Sequence, residues 1–184
     1  MKKSLKIVIL GAEGVGKTSI CLRFVHNLFG NKYLPTFEDT YKQNLEIDGN
    51  EYHLQILDTQ RTEQFLALRD IYTNDSDAFL LIYSITDKAS FELLEDLRDQ
   101  IARVKDGFDF PFLIVASKSD LEDQREVSKN DLIGMEKKWN CSSIQVSAKD
   151  SINVFESFQQ IIRILEKKEK LCQSKEKQQN CFLF

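Results

Sequence analysis

Residues 6–18 read Lys6-Ile7-Val8-Ile9-Leu10-Gly11-Ala12-Glu13-Gly14-Val15-Gly16-Lys17-Thr18. The opening run, Lys6 to Leu10, is short, apolar and rich in β-branched side chains, the make-up of a buried strand. Beyond the glycines, Ile20, Phe24, Val25 and Leu28 recur at helical spacing. Between strand and helix stands a match to G-x-x-x-x-G-K-[ST], whose glycines let the backbone curl so that successive N–H groups point inward at phosphate oxygens. The following helix offers its positive end, Lys17 can reach the outer phosphates, and the Thr18 hydroxyl can bind Mg²⁺. A glycine-rich turn with an exposed lysine is the plain alternative, but it requires no such placement. The G-x-G-x-x-G spacing of a dinucleotide loop is absent.

Outward from this loop, apolar runs alternate with helical patterns. Further strands are expected at Leu45 to Ile47, Tyr52 to Leu57, Ala78 to Tyr83, Pro111 to Ala116 and Ser143 to Val146. Helical spacing recurs in Phe91, Leu94, Leu97, Ile101 and Val104, and again in Val154, Phe155, Phe158, Ile161, Ile162 and Leu165. Asp48-Gly49 signals a tight hairpin between the second and third strands. The remaining alternations imply right-handed crossovers and a mostly parallel sheet covered on both faces. The expectation is a single α/β domain, with five helices around a six-stranded mixed sheet. Ligands on such sheets gather at the carboxyl ends of the strands, here just after Leu10, Leu57, Ala116 and Val146.

Composition narrows the class. A chain of 184 residues can hide roughly 70% of its unfolded surface, enough for a core without covalent staples. With 2 Pro and 7 Gly it is neither collagenous nor low-complexity. No apolar run reaches the roughly 18 residues of a membrane span, and the stretch after Met1-Lys2-Lys3-Ser4 is too short for a secretory signal core, so a cytoplasmic protein is expected. The net charge of −4 argues against nucleic acid as a partner. Cys21, Cys141, Cys172 and Cys181 lack zinc-site spacing and read as free thiols, with Cys21 as small core filler. His26 and His53 read as ordinary surface or strand residues, and Trp139 as packing under a loop.

Two loops downstream extend the picture. Ser117-Lys118-Ser119-Asp120 follows one apolar strand and Ser147-Ala148-Lys149 the next. With the phosphate loop, Pro35-Thr36-Phe37-Glu38-Asp39-Thr40-Tyr41, Leu57-Asp58-Thr59 and Leu81-Ile82-Tyr83-Ser84-Ile85-Thr86, these make the chain, from about Leu5 to Leu165, resemble the Ras-like small GTPases, and among them the Ras and Rap branch. The resemblance implies a P-loop NTPase fold, a domain over residues 1–168, and a switch between GDP and GTP. Glu13, Gly14, Val15, Gly16, Lys17, Thr18 and Ser19 would cradle the phosphates. Thr18, Thr36 and Asp58 would hold Mg²⁺, and Thr36 would also sense the γ-phosphate. Tyr33, Pro35 and Arg61 would border the nucleotide, with Tyr33, Glu38 and Asp39 forming an effector surface. Phe29 would lie against guanine, and Asp120 would accept its N1 and N2 protons, a pair adenine lacks. Ser117, Lys118 and Leu121 would complete the first base-reading loop; Ser147, Ala148 and Lys149 the second, with the Ala148 N–H on the guanine carbonyl. Lys17, Thr36, Arg61 and Thr62 would carry catalysis. Segments around Thr36 and beyond Asp58 would be the two switches.

The sequence departs from that family's pattern around the nucleotide. Glu13 stands where glycine is usual, Gln60-Arg61 where Ala-Gly is usual, Thr62 at the catalytic glutamine position as in Rap proteins, and Ser117 in place of Asn. Threonine cannot align the attacking water as a glutamine amide does. Glu13 adds negative charge where positive charge helps the transition state. Slow intrinsic hydrolysis and a poor response to a partner's arginine are expected. Arg61 has three readings: a damaged switch, an ion pair with Glu13, or an arginine acting in cis. Pairing ranks first because the charges are opposite and the family positions adjacent. Ser117 makes fewer hydrogen bonds than Asn, so faster nucleotide exchange is expected.

Residues 169–184 read as a disordered tail ending in Cys181-Phe182-Leu183-Phe184, a C-a-a-X box whose terminal Phe favours geranylgeranylation. Lysines 167, 168, 170, 175 and 177 would supply a weak second anchoring signal, and Cys172 an optional acyl chain. The expected setting is the cytoplasmic face of a membrane, the plasma membrane first. An exchange factor, a GTPase-activating protein and an effector with a Ras-binding surface would be the partners. Two rivals stand beside the slow GTPase. One is a non-hydrolysing module held in one nucleotide state. The other is a P-loop kinase acting on a small metabolite, for which no acceptor site or arginine-bearing lid is evident.

Overall fold

The computed structural model describes residues 2–30, 38–59 and 72–181. Its strands are β1 (Lys2–Gly11), β2 (Glu38–Ile47), β3 (Asn50–Thr59), β4 (Ala78–Ser84), β5 (Phe112–Ser117) and β6 (Ser143–Gln145). Its helices are α1 (Lys17–His26), α2 (Lys88–Val104), α3 (Lys129–Trp139) and α4 (Val154–Cys181), with a 3-10 turn at Glu122–Gln124 and a helical turn at 72–74. The strands form one sheet in the order β2-β3-β1-β4-β5-β6, parallel except for the β2–β3 pair. This is the six-stranded, mostly parallel α/β sheet the alternating pattern predicts.

The hairpin is as tight as Asp48-Gly49 implies. Ile47 pairs with Asn50, and Asp48 and Gly49 both take positive φ, 50° and 78°, the twist that suits a two-residue connection. β2 begins at Glu38, well before the expected Leu45. Much of this edge strand is half-buried or exposed, so no continuous apolar run marks it; its pairing with β3 defines it.

Alternation along the central strands divides the core. Leu5, Ile7 and Ile9 of β1 join Leu80 and Ile82 of β4 under α1 and α4, with Phe24 stacked on Phe158 at 3.8 Å. Val8 and Leu10 point to the opposite face, with Phe79, Leu81 and Tyr83 of β4 under α2 and α3. Both faces of the central strands are thus buried, as parallel sheets demand.

Two expectations are corrected. The first concerns residues 129–139, which form a helix, α3, that Trp139 ends, buried, with its ring edge-on to Phe112 at 6.2 Å. α3 buries Leu132 and Trp139 alone, too narrow a stripe for periodicity to reveal, although Ser128 and Asp131 cap it reciprocally. The second correction concerns residues 169–181, which continue α4 as helix. No Gly or Pro interrupts residues 154–181, and Lys, Glu and Gln are good helix formers. The long helix is tied to the sheet: Tyr52 donates to Glu166, Lys3 pairs with Glu169, and Arg163 reaches Asp48 at 3.0 and 3.1 Å. Among the described residues, no helix is long and apolar enough to cross a membrane.

Candidate functional site

β1 delivers its chain to the sheet's carboxyl edge at Gly11, where no side chain fits. A Cβ there would lie 2.2 Å from the carbonyl oxygen of Ile82 on β4. The chain then turns through Gly14 (φ 72°) and Gly16 (φ 98°), while Val15 is buried beneath and Glu13 is exposed. Gly16 is the N-cap of α1, with no side-chain hydrogen bond closing the helix start and no acidic residue in its first turn. Positive φ at that cap is costly for any residue with a Cβ. The electropositive end of α1 therefore faces the loop's concavity.

Lys17 is buried to 7% exposure, unusual for an ammonium. Its Nζ donates to the carbonyls of Gly11 at 3.0 Å and Ala12 at 2.7 Å, which hold the charge across the mouth of the loop. One residue on, the half-buried Thr18 hydroxyl donates to the Asp58 carboxylate at 2.5 Å. Asp58 is buried near the end of β3, opposite Ile9 of β1, and the Thr59 hydroxyl secures that end by donating to the Ile9 carbonyl at 2.7 Å. Hydroxyl and carboxylate are hard oxygen donors, the set that suits Mg²⁺ beside phosphate. Ser19 follows, half-buried on α1.

The two downstream loops converge on the same edge. Ser117, the last residue of β5, is buried and donates towards the Val15 and Tyr83 carbonyls at 2.5 and 2.8 Å. It thereby fastens the loop that follows β5 to the loop between β1 and α1. Lys118 takes φ 58°, a left-handed turn that costs a side-chain-bearing residue about 1 kcal/mol, and its carbonyl accepts from the Leu121 N–H at 2.9 Å. Between them Asp120 is held by the fully buried Ser147, whose hydroxyl donates to Oδ1 at 2.7 Å while accepting the Asp150 N–H at 3.0 Å.

Ala148 and Lys149 are reached from α1, a connection the sequence does not announce. Arg23 donates from Nε to the Ala148 carbonyl at 2.7 Å and from Nη2 to the Lys149 carbonyl at 3.1 Å. Its guanidinium lies 5.9 Å from the ring centre of Phe29, which is 38% exposed at the same edge. A lone arginine on an amphipathic helix reads as a solvated charge; its role emerges from spatial neighbours 125 positions away.

The structure thus gathers Lys17, Thr18, Asp58, Ser117, Lys118, Asp120, Ser147 and Ala148 along one sheet edge. Tyr33, Pro35, Thr36, Arg61 and Thr62 lie outside the described residues, as does the proposed Glu13–Arg61 pair. The Ras family sequence profile matches residues 6–167. This chain belongs to the Ras family. Ras-family proteins are small GTPases, P-loop switches that bind guanine nucleotide with Mg²⁺ and work with exchange factors, activating proteins and effectors. The matched span begins in β1 and closes in α4, so it takes in every loop described above.

Proposed function

We propose that this Ras-family chain is a GDP/GTP switch that hydrolyses GTP slowly and works at the cytoplasmic face of a membrane. The observation that carries the reading is the meeting of Lys17, Thr18 and Asp58 at one end of a sheet edge whose other end holds the oriented pair Ser147–Asp120. In this reading the ammonium and the loop N–H groups bind phosphate oxygens, and Thr18, Asp58 and Thr36 would hold Mg²⁺, which when bound would supply positive charge beside the phosphates. Asp120 accepts the N1 and N2 protons of guanine, the Ala148 N–H reaches its carbonyl, and Phe29 lies against the ring. Slow turnover follows from Thr62, which cannot orient water through an amide, and from Glu13, whose charge opposes the transition state.

Membrane attachment rests on the order Cys181-Phe182-Leu183-Phe184, with a prenyl chain on Cys181 and the neighbouring lysines as a second signal. The same Glu13 and Thr62 favour a second reading, a module that binds GTP and does not cleave it. Chromatography of the nucleotide that copurifies, followed by a single-turnover assay on purified GTP-loaded protein, separates the two. Slow but measurable phosphate release supports the switch. A GTP-loaded protein with no turnover supports the binding module, and a folded protein with no affinity for guanosine phosphates refutes both.

A further inference from the structure

We propose that Arg23 is a positioning residue for guanine, acting through the second base-reading loop on the orientation of Asp120. The proposal rests on the guanine-nucleotide reading above. Arg23 sits in the last turn of α1, far in sequence from the loop it holds. Its Nε donates to the Ala148 carbonyl at 2.7 Å and Nη2 to the Lys149 carbonyl at 3.1 Å. Nη1 donates to the backbone carbonyl and Oδ1 of Asn27 at 3.0 and 3.1 Å. All three guanidinium nitrogens are thereby engaged, in four hydrogen bonds, and the plane is fixed. Asn27 itself is the left-handed C-cap of α1, at φ 54°.

A peptide unit is planar, so fixing a carbonyl fixes the N–H on its far side. Holding the Lys149 carbonyl sets the plane carrying the Asp150 N–H, which donates to Ser147 Oγ at 3.0 Å. Ser147 in turn donates to Asp120 Oδ1 at 2.7 Å. A continuous path of covalent planes and hydrogen bonds therefore runs from the α1 guanidinium to the carboxylate that reads guanine. The guanidinium also lies 5.9 Å from the Phe29 ring centre, within the range of a cation–π contact. A single side chain thus braces both the aromatic and the acidic walls of the base pocket. Lysine would not do the same: it is a point charge and cannot fork across two carbonyls.

The test is release of fluorescently labelled GDP and IDP from full-length parent, R23A and R23K. Hypoxanthine lacks the N2 amino group, so the ratio of IDP to GDP release rates reports how well the carboxylate meets both guanine protons. The parent is expected to release IDP faster. R23A should accelerate GDP release about tenfold, the scale of one or two lost charge-assisted bonds, and IDP release by clearly less, so that the ratio falls. R23K, which keeps charge and stem, should shift the ratio in the same direction and serves where R23A does not fold. In the double variant R23A/S147A the ratio should fall no further than in S147A. An unchanged GDP release rate, equal acceleration of both nucleotides, or full rescue by lysine overturns the proposal. A parent that retains GDP with these outcomes leaves the switch reading standing; a parent that binds no guanine nucleotide overturns both.

Discussion

The Ser117 hydroxyl points its single proton at two carbonyl oxygens, that of Val15 at 2.5 Å and that of Tyr83 at 2.8 Å. One O–H cannot satisfy both fully, whereas an amide NH₂ carries two protons. Ser117 is the point where β5, β4 and the phosphate loop are fastened together, so slack here reaches the nucleotide. Replacing it by alanine removes both side-chain hydrogen bonds from a buried junction, a loss of about 1–3 kcal/mol. S117A is expected to lower the unfolding free energy by that amount and to speed GDP release at least tenfold. S117N is expected to slow release below the parent rate. Stopped-flow release of a fluorescent GDP measures both, and an S117N rate equal to the parent's would sink the argument.

Gly11 makes a sharper steric prediction. A Cβ at 2.2 Å from the Ile82 carbonyl oxygen cannot be relieved by rotating a side chain, because the obstacle is backbone in the central strand β4. G11A must push β1 and β4 apart where their ladder pairs Gly11 with Ile82. Overpacking of this kind costs about 1–3 kcal/mol, and occasionally more. Thermal unfolding of G11A should fall by roughly 3–10 °C on the scale of a domain this size. An unchanged midpoint would mean that the strands yield more easily than their packing implies.

What could be read before folding and what could not divides along physical lines. The phosphate loop is legible because its work is done by backbone: glycine spacing and one lysine specify it locally. The sheet order follows from alternating strands and helices, and the hairpin from Asp48-Gly49. The long β2 was hidden because an edge strand needs no continuous apolar run, and α3 because it buries so little. The helical extension of α4 leaves no mark in composition, because a polar stretch reads as unstructured, while Tyr52, Lys3 and Asp109 supply the partners that hold the helix, the last through Lys168 at 2.7 Å. Arg23 was invisible for a similar reason: hydrogen bonds between residues over a hundred positions apart leave no periodic trace.

Tyr83 carries a phenol group that folding buries completely, with no hydrogen-bond partner among the described residues. Burial pushes its ionisation well above the ordinary tyrosine range. The ring itself is well used, meeting Phe91 edge-on at 4.9 Å. An unsatisfied buried hydroxyl costs about 1–3 kcal/mol, so removing it while keeping the ring should cost nothing. Y83F is expected to match or exceed the parent's stability by about 1 kcal/mol in urea unfolding. A clear loss would show that the hydroxyl has found a buried water or another donor.

Cys141 and Cys172 should separate cleanly in their reaction with iodoacetamide. Cys172 is exposed on α4, whereas burial, reinforced by the charge of Glu136, pushes the half-buried Cys141 thiol up to about 11. The thiolate is the reacting species, so at pH 8 Cys141 presents about one reactive group in a thousand. Peptide mapping over time should find Cys172 modified first and Cys141 at least tenfold more slowly. Because the fold favours the neutral thiol, the stability this group contributes is whole below its unfolded value of 9.0 and is lost as pH climbs towards about 11. The Cys141 rate should accordingly keep rising about tenfold per pH unit from pH 8 to pH 10. A rate that levels off near pH 9 would mean that the thiol is more solvated than its place beside α3 requires.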